Sequence, residues 1–337
     1  MFLGTDPEFF ILDKNGKPVP AHLRGVPDKT KKRFVRGGSV FRDGYAVELN
    51  IIPTGCRETL ALNVKTALQD ARKSFLKGGD RFSTIPTVPI DLADIRKGPP
   101  DVREFGCEPS FDAYDLQVKS PLADALTYPW RSIGGHMHFS VNKLDIKPGY
   151  DKELAWMLKP ANYPTAVRLL DLFLGIPLTC LHHRPAQYAR RRLYGQAGEF
   201  RPQTYNENST GFEYRTPGPE IWNHHAISGM AFGVARWVLK NFNVLRPTLD
   251  LFDPDRVRVA INTGKGRFAL LQTVNSFYTP ALIKYLALHK RPTLFSLALP
   301  NETGFMSIAW PEHVRNIWKL PTLRPTQTVV FGNVLSV

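Results

Sequence analysis

The sequence predicts an α+β protein built on an antiparallel sheet. Strand-like segments with alternating apolar and polar residues come first, joined by tight turns such as Asn15-Gly16 and Asp43-Gly44. Segments with helical spacing of apolar residues lie between and after these strands, without a regular β–α–β alternation. No internal repeat, low-complexity stretch or clear linker is visible, so we predict one domain over residues 1–337.

These patterns predict where the strands and helices lie. Strands are expected at 2–13, 40–52 (a hairpin), 105–108, around His136 and at 212–216. Helices are expected after Gly55, from 164 to 175 or 180, and at 222–242, 264–278 and 280–289. Loops are expected at 109–114 and 184–202. Residues 243–337 carry no recognisable motif, and we expect them to form a helical C-terminal extension.

The composition is typical of a folded protein in a reducing compartment. Apolar residues make up 43% of the chain and charged residues 22%. No apolar run approaches the ~20 residues that span a bilayer, and the N-terminus shows no secretory signal. The three cysteines are far apart and lack CxxC spacing, which argues against disulfides and zinc ribbons. We therefore expect a cytoplasmic protein with no membrane partner.

The chain is strongly basic. Its 44 lysines and arginines exceed its 30 acidic residues, giving a formal net charge of +14. Such a surface favours an acidic partner, namely a nucleotide, a nucleic acid, an anionic peptide or a wall polymer. The tightest basic clusters are at residues 29–33 and 190–192.

Ionisable residues alternate with apolar ones on four predicted strands. If these strands lie side by side, their polar faces bring together Asp6, Glu8, Glu48, His136 and Glu213. Crowded carboxylates raise one another's pKa values unless a cation lies between them. Oxygen ligands with one or two nitrogens suit Mg²⁺ or Mn²⁺ better than structural zinc. The pattern therefore predicts a divalent-metal site of the kind used in phosphate chemistry.

Arginines lie beside the same motifs and suit phosphate or carboxylate binding. They are Arg131, Arg190, Arg191, Arg201 and Arg215. Neither a GxxxxGK[ST] nor a GxGxxG motif is present. A bound ATP would therefore be held by metal and arginine rather than by a phosphate-binding loop.

Four ordered motifs resemble those of glutamine synthetases. GTDPEFFILD resembles their first acidic strand, and GGHMHFS resembles their GSGMHxHxS strand. FRPQ, followed by GFEYRTPGP, resembles their arginine-bearing loop and their Ile-Glu-x-Arg-x-Pro strand. Together with DGYAVELNI and FGCEPSFDAY, these motifs make the chain similar to phage-encoded carboxylate–amine ligases (amidoligases). Those enzymes belong to the glutamine synthetase and glutamate–cysteine ligase superfamily, and the resemblance covers roughly residues 2–240.

The resemblance implies a fold and a set of residue roles. The fold would be a curved antiparallel sheet with helices on its outer face, as in the glutamine synthetase catalytic domain. Arg201 and Arg215 would contact the transferred phosphate or the substrate, and His138 the nucleotide, joined there by Arg131, Arg190 and Arg191. Two or three Mg²⁺ ions, or Mn²⁺, would be held by Asp6, Glu8, Glu48, His136 and Glu213. Asp6 stands where the family has glutamate, and only Glu48 matches a usual pair of glutamates.

The function implied is ATP-dependent formation of an amide or isopeptide bond through an acyl phosphate. Its substrates would be a small-molecule or peptide carboxylate and an amine, in the host cytoplasm if the protein is phage-encoded. Four alternatives stay open: a guanidino phosphotransferase of the same superfamily, a His-x-His zinc hydrolase, a relict ligase that binds nucleic acid or virion components, and an amidoligase whose substrate is modified DNA or a charged polymer. The sequence leaves the oligomeric state open.

Overall fold

The structure is a computed structural model that describes residues 1–105, 109–119, 124–146, 152–182, 184–223 and 225–277. Its strands are β1 (Phe2–Thr5), β2 (Glu8–Leu12), β3 (Pro18–Val19), β4 (Arg33–Val35), β5 (Gly38–Asp43), β6 (Ala46–Ile51), β7 (Arg81–Ser83), β8 (Thr87–Pro89), β9 (Ser110–Asp112), β10 (Val118–Lys119), β11 (Trp130–Ser132), β12 (Met137–Asn142), β13 (Glu199–Asn206) and β14 (Ser209–Tyr214). Its α-helices are α1 (Arg57–Phe75), α2 (Leu92–Lys97), α3 (Tyr163–Leu170), α4 (Ile176–Leu181), α5 (Pro185–Arg190), α6 (His225–Lys240), α7 (Phe242–Leu245), α8 (Pro254–Thr263) and α9 (Arg267–Asn275). A π-helical turn, Asp171–Gly175, joins α3 to α4.

The strands form two large curled sheets and one small one. The first sheet has the order β1-β12-β14-β13-β9-β10. The second has the order β3-β2-β6-β5-β4, with β7 also paired to β2. Strands β8 and β11 form the small sheet. Every pairing is antiparallel, so the α+β prediction with an antiparallel sheet is confirmed.

The two large sheets meet at a corner formed by Asp6 and Pro7. Strand β1 pairs with β12 in the first sheet, whereas β2 pairs with β6 in the second. Pro7 has no N–H to donate to a ladder, and its carbonyl accepts from the Leu49 N–H at 3.0 Å. Reciprocal main-chain hydrogen bonds between Leu3 and Thr54 tie the sheets together beside this corner. The single strand expected here is therefore two strands in two sheets.

Alternation along β12 and β14 separates a core face from a polar face. Phe139 and Phe212 are fully buried and pack against α6 and α3 respectively. Their chain neighbours His138 and Glu213 lie opposite each other in register and point to the other face. Helix α1 covers the second sheet through one apolar stripe, as its spacing predicts: Leu60, Val64, Leu68, Ala71 and Phe75. Helices thus cover one side of the sheets and leave the polar side open to a ligand.

Some expected loops are ordered elements. Residues 184–202 contain α5 and the start of β13, and residues 109–114 contain β9. β13 is a strand because it pairs with both β14 and β9. This pairing is a tertiary contact, and the polar residues of the segment do not predict it. Helix α8 was also not anticipated. Most of the expected strand at 105–108 and the whole helix at 280–289 lie outside the described residues.

One helical run passes a length and composition test for a membrane span. Pro160–Leu181 has 22 residues and a mean hydropathy of 1.4 in its most apolar window. Arg168 and Asp171 interrupt this segment, so it contains no continuous apolar run of about 20 residues. However, 78% of that window is buried inside the fold. Core helices of this kind pass the same test, so the run is explained by packing.

Candidate functional site

His136 lies at the centre of the polar face, with three carboxylates around its Nδ1 atom. This atom is 3.1 Å from Glu213 Oε1, 3.6 Å from Asp6 Oδ1 and 3.7 Å from Glu8 Oε1. The three acids come from different elements: Asp6 from the corner, Glu8 from β2 and Glu213 from β14. Residues expected to converge on one sheet therefore converge from two sheets that meet at the corner.

The orientation of His136 is set by Gly134. A Cβ atom on Gly134 would lie 2.2 Å from His136 Nε2, so a side chain there would displace the ring. The Gly134 N–H donates to Glu8 Oε2 at 2.7 Å, and the Tyr194 hydroxyl donates to the same oxygen at 3.1 Å. These two donors fix Glu8 and leave its other oxygen, Oε1, directed at His136. The glycine is required here by a close approach rather than by backbone conformation.

A second group of acids adjoins the first. Glu8 and Glu48 lie opposite each other in the pairing of β2 with β6. Asp43, at the end of β5, completes a set in which one oxygen of each acid lies within 4.8 Å of the others. Sequence reasoning treated Asp43 only as part of an Asp-Gly turn. The structure thus provides a second acid beside Glu48, where the family resemblance had indicated only one.

The electrostatics of both groups favour a bound cation. Burial raises the pKa values of Glu8 and Asp43, and burial with the charges of Asp6, Asp43 and Glu8 raises that of Glu48 well above its usual range. Asp6 Oδ1 is buried without a hydrogen-bond partner. Acids that crowd in this way are stabilised by a cation between them, and oxygen ligands with one imidazole suit Mg²⁺ or Mn²⁺. The donor set therefore fits the expected metal.

His138 lies on the solvent side of the same cluster. Its Nε2 is 3.2 Å from Asp6 Oδ2, and its Nδ1 is 3.1 Å from the Tyr205 hydroxyl. Burial opposes a charge on His138, but the Asp6 carboxylate outweighs it and raises the His138 pKa. The charges of His138 and His136 in turn lower the pKa of Asp6 despite its burial. With 19% of the His138 side chain and 44% of Tyr205 exposed, the pair forms a rim between the acids and solvent.

Arg201 and Arg215 both pair with Glu213, Arg201 from the more exposed side and Arg215 from the buried side. Arg201 Nη1 donates to Glu213 Oε2 at 3.1 Å, and a fifth of its side chain remains exposed. Arg215 Nη1 donates to Glu213 Oε1 at 2.9 Å, and its Nε lies 3.3 Å from Glu199 Oε1. Although Glu213 is buried, the charge of Arg215 holds its pKa below the usual range. Arg201 is thus accessible to a ligand, whereas Arg215 is enclosed between two carboxylates.

The other three predicted arginines do not reach the acids. Arg131 donates to the carbonyls of Ala125, Tyr128 and Trp130 and lies over the Phe105 ring. Buried guanidinium groups need several acceptors, and backbone carbonyls provide them here. The prediction that this residue contacts a nucleotide is therefore not supported by its position.

Arg190 and Arg191 are likewise used to hold the fold. Arg190 donates to the carbonyls of Arg215 and Thr216, and its guanidinium lies 4.7 Å from the centre of the Tyr194 ring. Arg191 donates to the carbonyl of Ile261 and to Thr179. Arg190 therefore supports the site from behind through Tyr194, and Arg191 joins α5 to α8. The positions of Arg190 and Arg191 therefore do not support the predicted nucleotide contact.

Two further site residues were missed from sequence. Tyr194 contacts Glu8 through its hydroxyl and packs edge-on against the His136 ring. Glu199 accepts from the Gly195 and Gln196 N–H groups and from the Ser110 hydroxyl, and pairs with Arg215. Glu199 is the first residue of β13, two residues before Arg201. Strand alternation would therefore have placed both side chains on one face, but only if residues 199–206 had been predicted to form a strand.

A separate buried carboxylate, Asp171, stands on the core side of the site strands. It lies in the π-helical turn and accepts four hydrogen bonds, from the hydroxyls of Tyr114, Tyr214 and Thr216 and from the Gly198 N–H. Burial nevertheless raises the pKa of Asp171 to about 6. Through these bonds Asp171 joins the α3–α4 helix to β14 and to the residue before β13.

The comparisons with known proteins concern the family and the fold of the chain. Residues 117–276 match the family model described as phage phiEco32-like COOH.NH2 ligase-type 2. The matched segment contains His136, Arg201, Glu213 and Arg215, whereas the acids of the first hairpins precede it. No curated protein matches the chain.

Among solved structures, a bifunctional glutathione synthetase from Pasteurella multocida aligns with a TM-score of 0.50 and 12% identity. The alignment covers 94% of this chain and 49% of that chain, so this chain spans about half its length. A structure titled as a novel glutamine synthase homolog has a TM-score of 0.37 and 12% identity, covering 86% and 70% of the two chains. At this identity the similarity to the glutathione synthetase shows the fold alone. Over residues 117–276, slightly less than half of its length, the chain is similar to the family of phage phiEco32-like COOH–NH2 ligases.

Proposed function

We propose that the chain is an ATP- and Mg²⁺-dependent ligase that forms an amide or isopeptide bond through an acyl phosphate. The observation that carries this proposal is the convergence of Asp6, Glu8 and Glu213 on His136 Nδ1, with Arg201 beside them. Buried acids with an adjacent exposed arginine suit a metal-bound triphosphate. The acid and amine would be small molecules or peptides.

The donor sets divide between two cations. Asp6, His136 and Glu213 would hold one, and Glu8, Asp43 and Glu48 a second. When bound, such cations neutralise phosphate oxygens and favour phosphoryl transfer. Tyr194 and Gly134 keep the Glu8 carboxylate in position for this role.

The reaction balances without an enzyme nucleophile. A substrate carboxylate oxygen attacks the γ-phosphorus, the bond to the ADP oxygen breaks, and an acyl phosphate forms. The amine nitrogen then attacks the acyl carbon, phosphate leaves, and the amine proton passes to solvent. Arg201 donates to the transferring phosphoryl group, and Arg215 orients Glu213 from its buried side.

The decisive measurement is ADP release that requires both a carboxylate and an amine. Arg201→Gln should lower kcat by about 100-fold, because an exposed donor to the transferring group is lost. The matched control is Arg256→Gln, which removes an exposed arginine of α8 and should leave kcat unchanged. ADP release that is independent of any acid would contradict the proposal.

The two histidines should separate in function. His136→Ala should mainly weaken dependence on Mg²⁺, since its Nδ1 faces the acids. His138→Ala should mainly raise the KM for ATP, because His138 lies with Tyr205 on the exposed rim. Equal effects of both changes on metal affinity would contradict this division.

Other results would select an alternative. ATP turnover only with a guanidino acceptor would indicate a phosphotransferase. One tightly bound zinc without any magnesium dependence would indicate a hydrolase. Salt-sensitive DNA binding that survives Glu8→Ala and Glu213→Ala, without ATP turnover in the parent protein, would indicate a relict ligase.

A further inference from the structure

Residues 29–36, here named the basic edge, form an exposed margin of the second sheet. They comprise the 3-10 turn Lys29–Lys31 and strand β4. Lys29, Lys31, Lys32 and Arg33 are all exposed, and Phe34, at 78%, is the most exposed large apolar side chain of the described residues. The edge therefore combines positive charge with an uncovered aromatic ring.

Most cations of the basic edge have no ion-pair partner. Within the described part of the chain, no carboxylate forms an ion pair with the side chains of Lys29, Lys31, Lys32 or Arg33. Three of these four lie over aromatic rings instead: Lys29 over Phe41, Lys32 over Phe34 and Arg33 over Phe75. Only Arg36, at the end, has an acid, Asp70. Unpaired cations that repel one another are neutralised when an anionic ligand binds.

The basic edge begins at the candidate site. Lys29 Nζ lies 6.0 Å from the centre of the Phe41 ring, and Phe41 lies opposite Glu48 in the pairing of β5 with β6. Strand β5 carries Asp43 at its end and pairs with β4 along its other part, matching Gly38 to Val35 and Val40 to Arg33. A ligand lying along this edge therefore extends outward from the site.

The backbone of β4 adds a second feature. β4 pairs with β5 on one side, and no described strand pairs with its outer side. Edge lysines often serve only to prevent unwanted strand pairing. Here, however, they continue into a site that requires a carboxylate, and an open edge accepts an extended peptide through main-chain hydrogen bonds. A nucleic acid has neither a peptide backbone for the edge nor a carboxylate for the reaction.

We propose that the basic edge docks an extended acidic peptide that supplies the carboxylate to be ligated. This proposal rests on the proposed function for the fate of the peptide, but its docking step is measured without catalysis. Lys31, Lys32 and Arg33 bind its acidic side chains, Phe34 covers an apolar side chain or stem, and Lys29 receives a carboxylate at the entrance to the site.

The probe is a fluorescent oligo-L-glutamate, whose binding is followed by anisotropy at low salt without ATP. The edge variant combines Lys31→Glu, Lys32→Glu and Arg33→Glu. The control variant combines Lys159→Glu, Arg256→Glu and Lys265→Glu, which changes exposed cations elsewhere by the same total charge. The edge variant should lose at least about tenfold in affinity, and the control less than about twofold. Unchanged melting temperatures would exclude misfolding.

Three results would overturn the docking proposal. They are no oligo-glutamate binding by the parent protein, equal losses in both variants, and binding of single-stranded DNA of equal charge as tightly as oligo-glutamate at the same salt. Docking and catalysis can fail separately. Edge-dependent binding without ATP turnover with any acid and amine would retain docking and reject the ligase mechanism, whereas turnover with equal losses would do the reverse.

Discussion

Asp171 contrasts with three acids of the candidate site, Asp6, Asp43 and Glu48, in the hydrogen bonds that its carboxylate accepts. Asp171 is fully buried and accepts four hydrogen bonds from protein donors. At the candidate site, Oδ1 of Asp6 is buried without any hydrogen-bond partner. Asp43 and Glu48 receive no hydrogen bond from the described residues and face each other across a space shared with Glu8.

This difference is the one expected between a structural acid and the acids of the proposed metal site. Buried polar groups in folded proteins nearly always have partners, so a missing partner fits the cation proposed for this site. The donors around Asp171 come from three segments that hold the site strands in place. The acids of the site repel one another instead, which costs stability in the absence of a cation.

The largest expected effect is on stability at Asp171. Asp171→Ala would leave two tyrosine hydroxyls and the Gly198 N–H without their acceptor, whereas the Thr216 hydroxyl can still donate to the Gln196 carbonyl. We expect the free energy of unfolding to fall by more than about 3 kcal/mol, measured by urea denaturation. Asp145→Ala, at an exposed acid, is the control and should cost less than about 0.5 kcal/mol. A similar small loss at Asp171 would remove the distinction between the two kinds of acid.

The opposite response is expected at Glu48. Glu48→Gln removes a negative charge from a crowded group, so the metal-free protein should be at least as stable as the parent. Affinity for Mn²⁺ should fall by about 100-fold, measured by titration with electron paramagnetic resonance. Glu207→Gln, at an exposed acid, should change neither quantity. Loss of stability without loss of Mn²⁺ affinity would assign Glu48 a structural role.

The pH dependence of stability sharpens the comparison. Burial raises the Asp171 pKa from 3.8 to about 6, so its protonated form is favoured in the folded state. The stability it contributes is complete below pH ~4 and is lost as the pH rises through about 6. We expect a decline of roughly 2 to 3 kcal/mol from this residue between those values.

Urea denaturation of the parent and of Asp171→Asn across this pH range isolates the Asp171 contribution, because the asparagine variant should show a shallower decline. Saturating Mg²⁺ should reduce only the remaining pH dependence of the free energy of unfolding. This remaining part comes from the raised pKa values of Glu8, Asp43 and Glu48. Equal slopes for parent and variant would show that Asp171 does not titrate in this range.

The smallest effect is expected at Gly134. In Gly134→Ala the new Cβ would displace the His136 ring, so Mn²⁺ affinity should fall by about tenfold while the protein stays folded. Gly78→Ala is the control, since a Cβ there has nothing within 4 Å. Unchanged affinity in Gly134→Ala would mean that the imidazole does not bind the metal.

Much of the candidate site is predictable from local pattern. Strand alternation predicts which side chains share a face, so the placement of Glu213 beside Arg215 follows from spacing alone, whereas Asp6 and Glu8 come together at the corner between two strands. The hairpin over 40–52 and the helix after Gly55 are confirmed for the same reason. Whether each residue performs its proposed role stays a prediction.

The arginines show the limit of what local sequence pattern can predict. Arg201 and Arg190 both lie in a basic, aromatic stretch, and nothing in their neighbours distinguishes them. Only packing determines that Arg201 faces the acids whereas Arg190 donates to carbonyls behind Tyr194. Asp43 was missed for a related reason, because an Asp-Gly turn is a sufficient local explanation of that residue.

By itself, then, the sequence determined the α+β class, the alternation of the site strands and the residue types of the site, because these depend on neighbours a few positions apart. Only the tertiary structure decided that β1 and β2 enter different sheets and that two groups of acids meet at their junction. It also decided which arginines face those acids. These features depend on contacts between residues far apart in the chain, such as Asp6 with His136 and Arg190 with Thr216. Burial makes such contacts specific, because each buried charge must find a partner or a ligand.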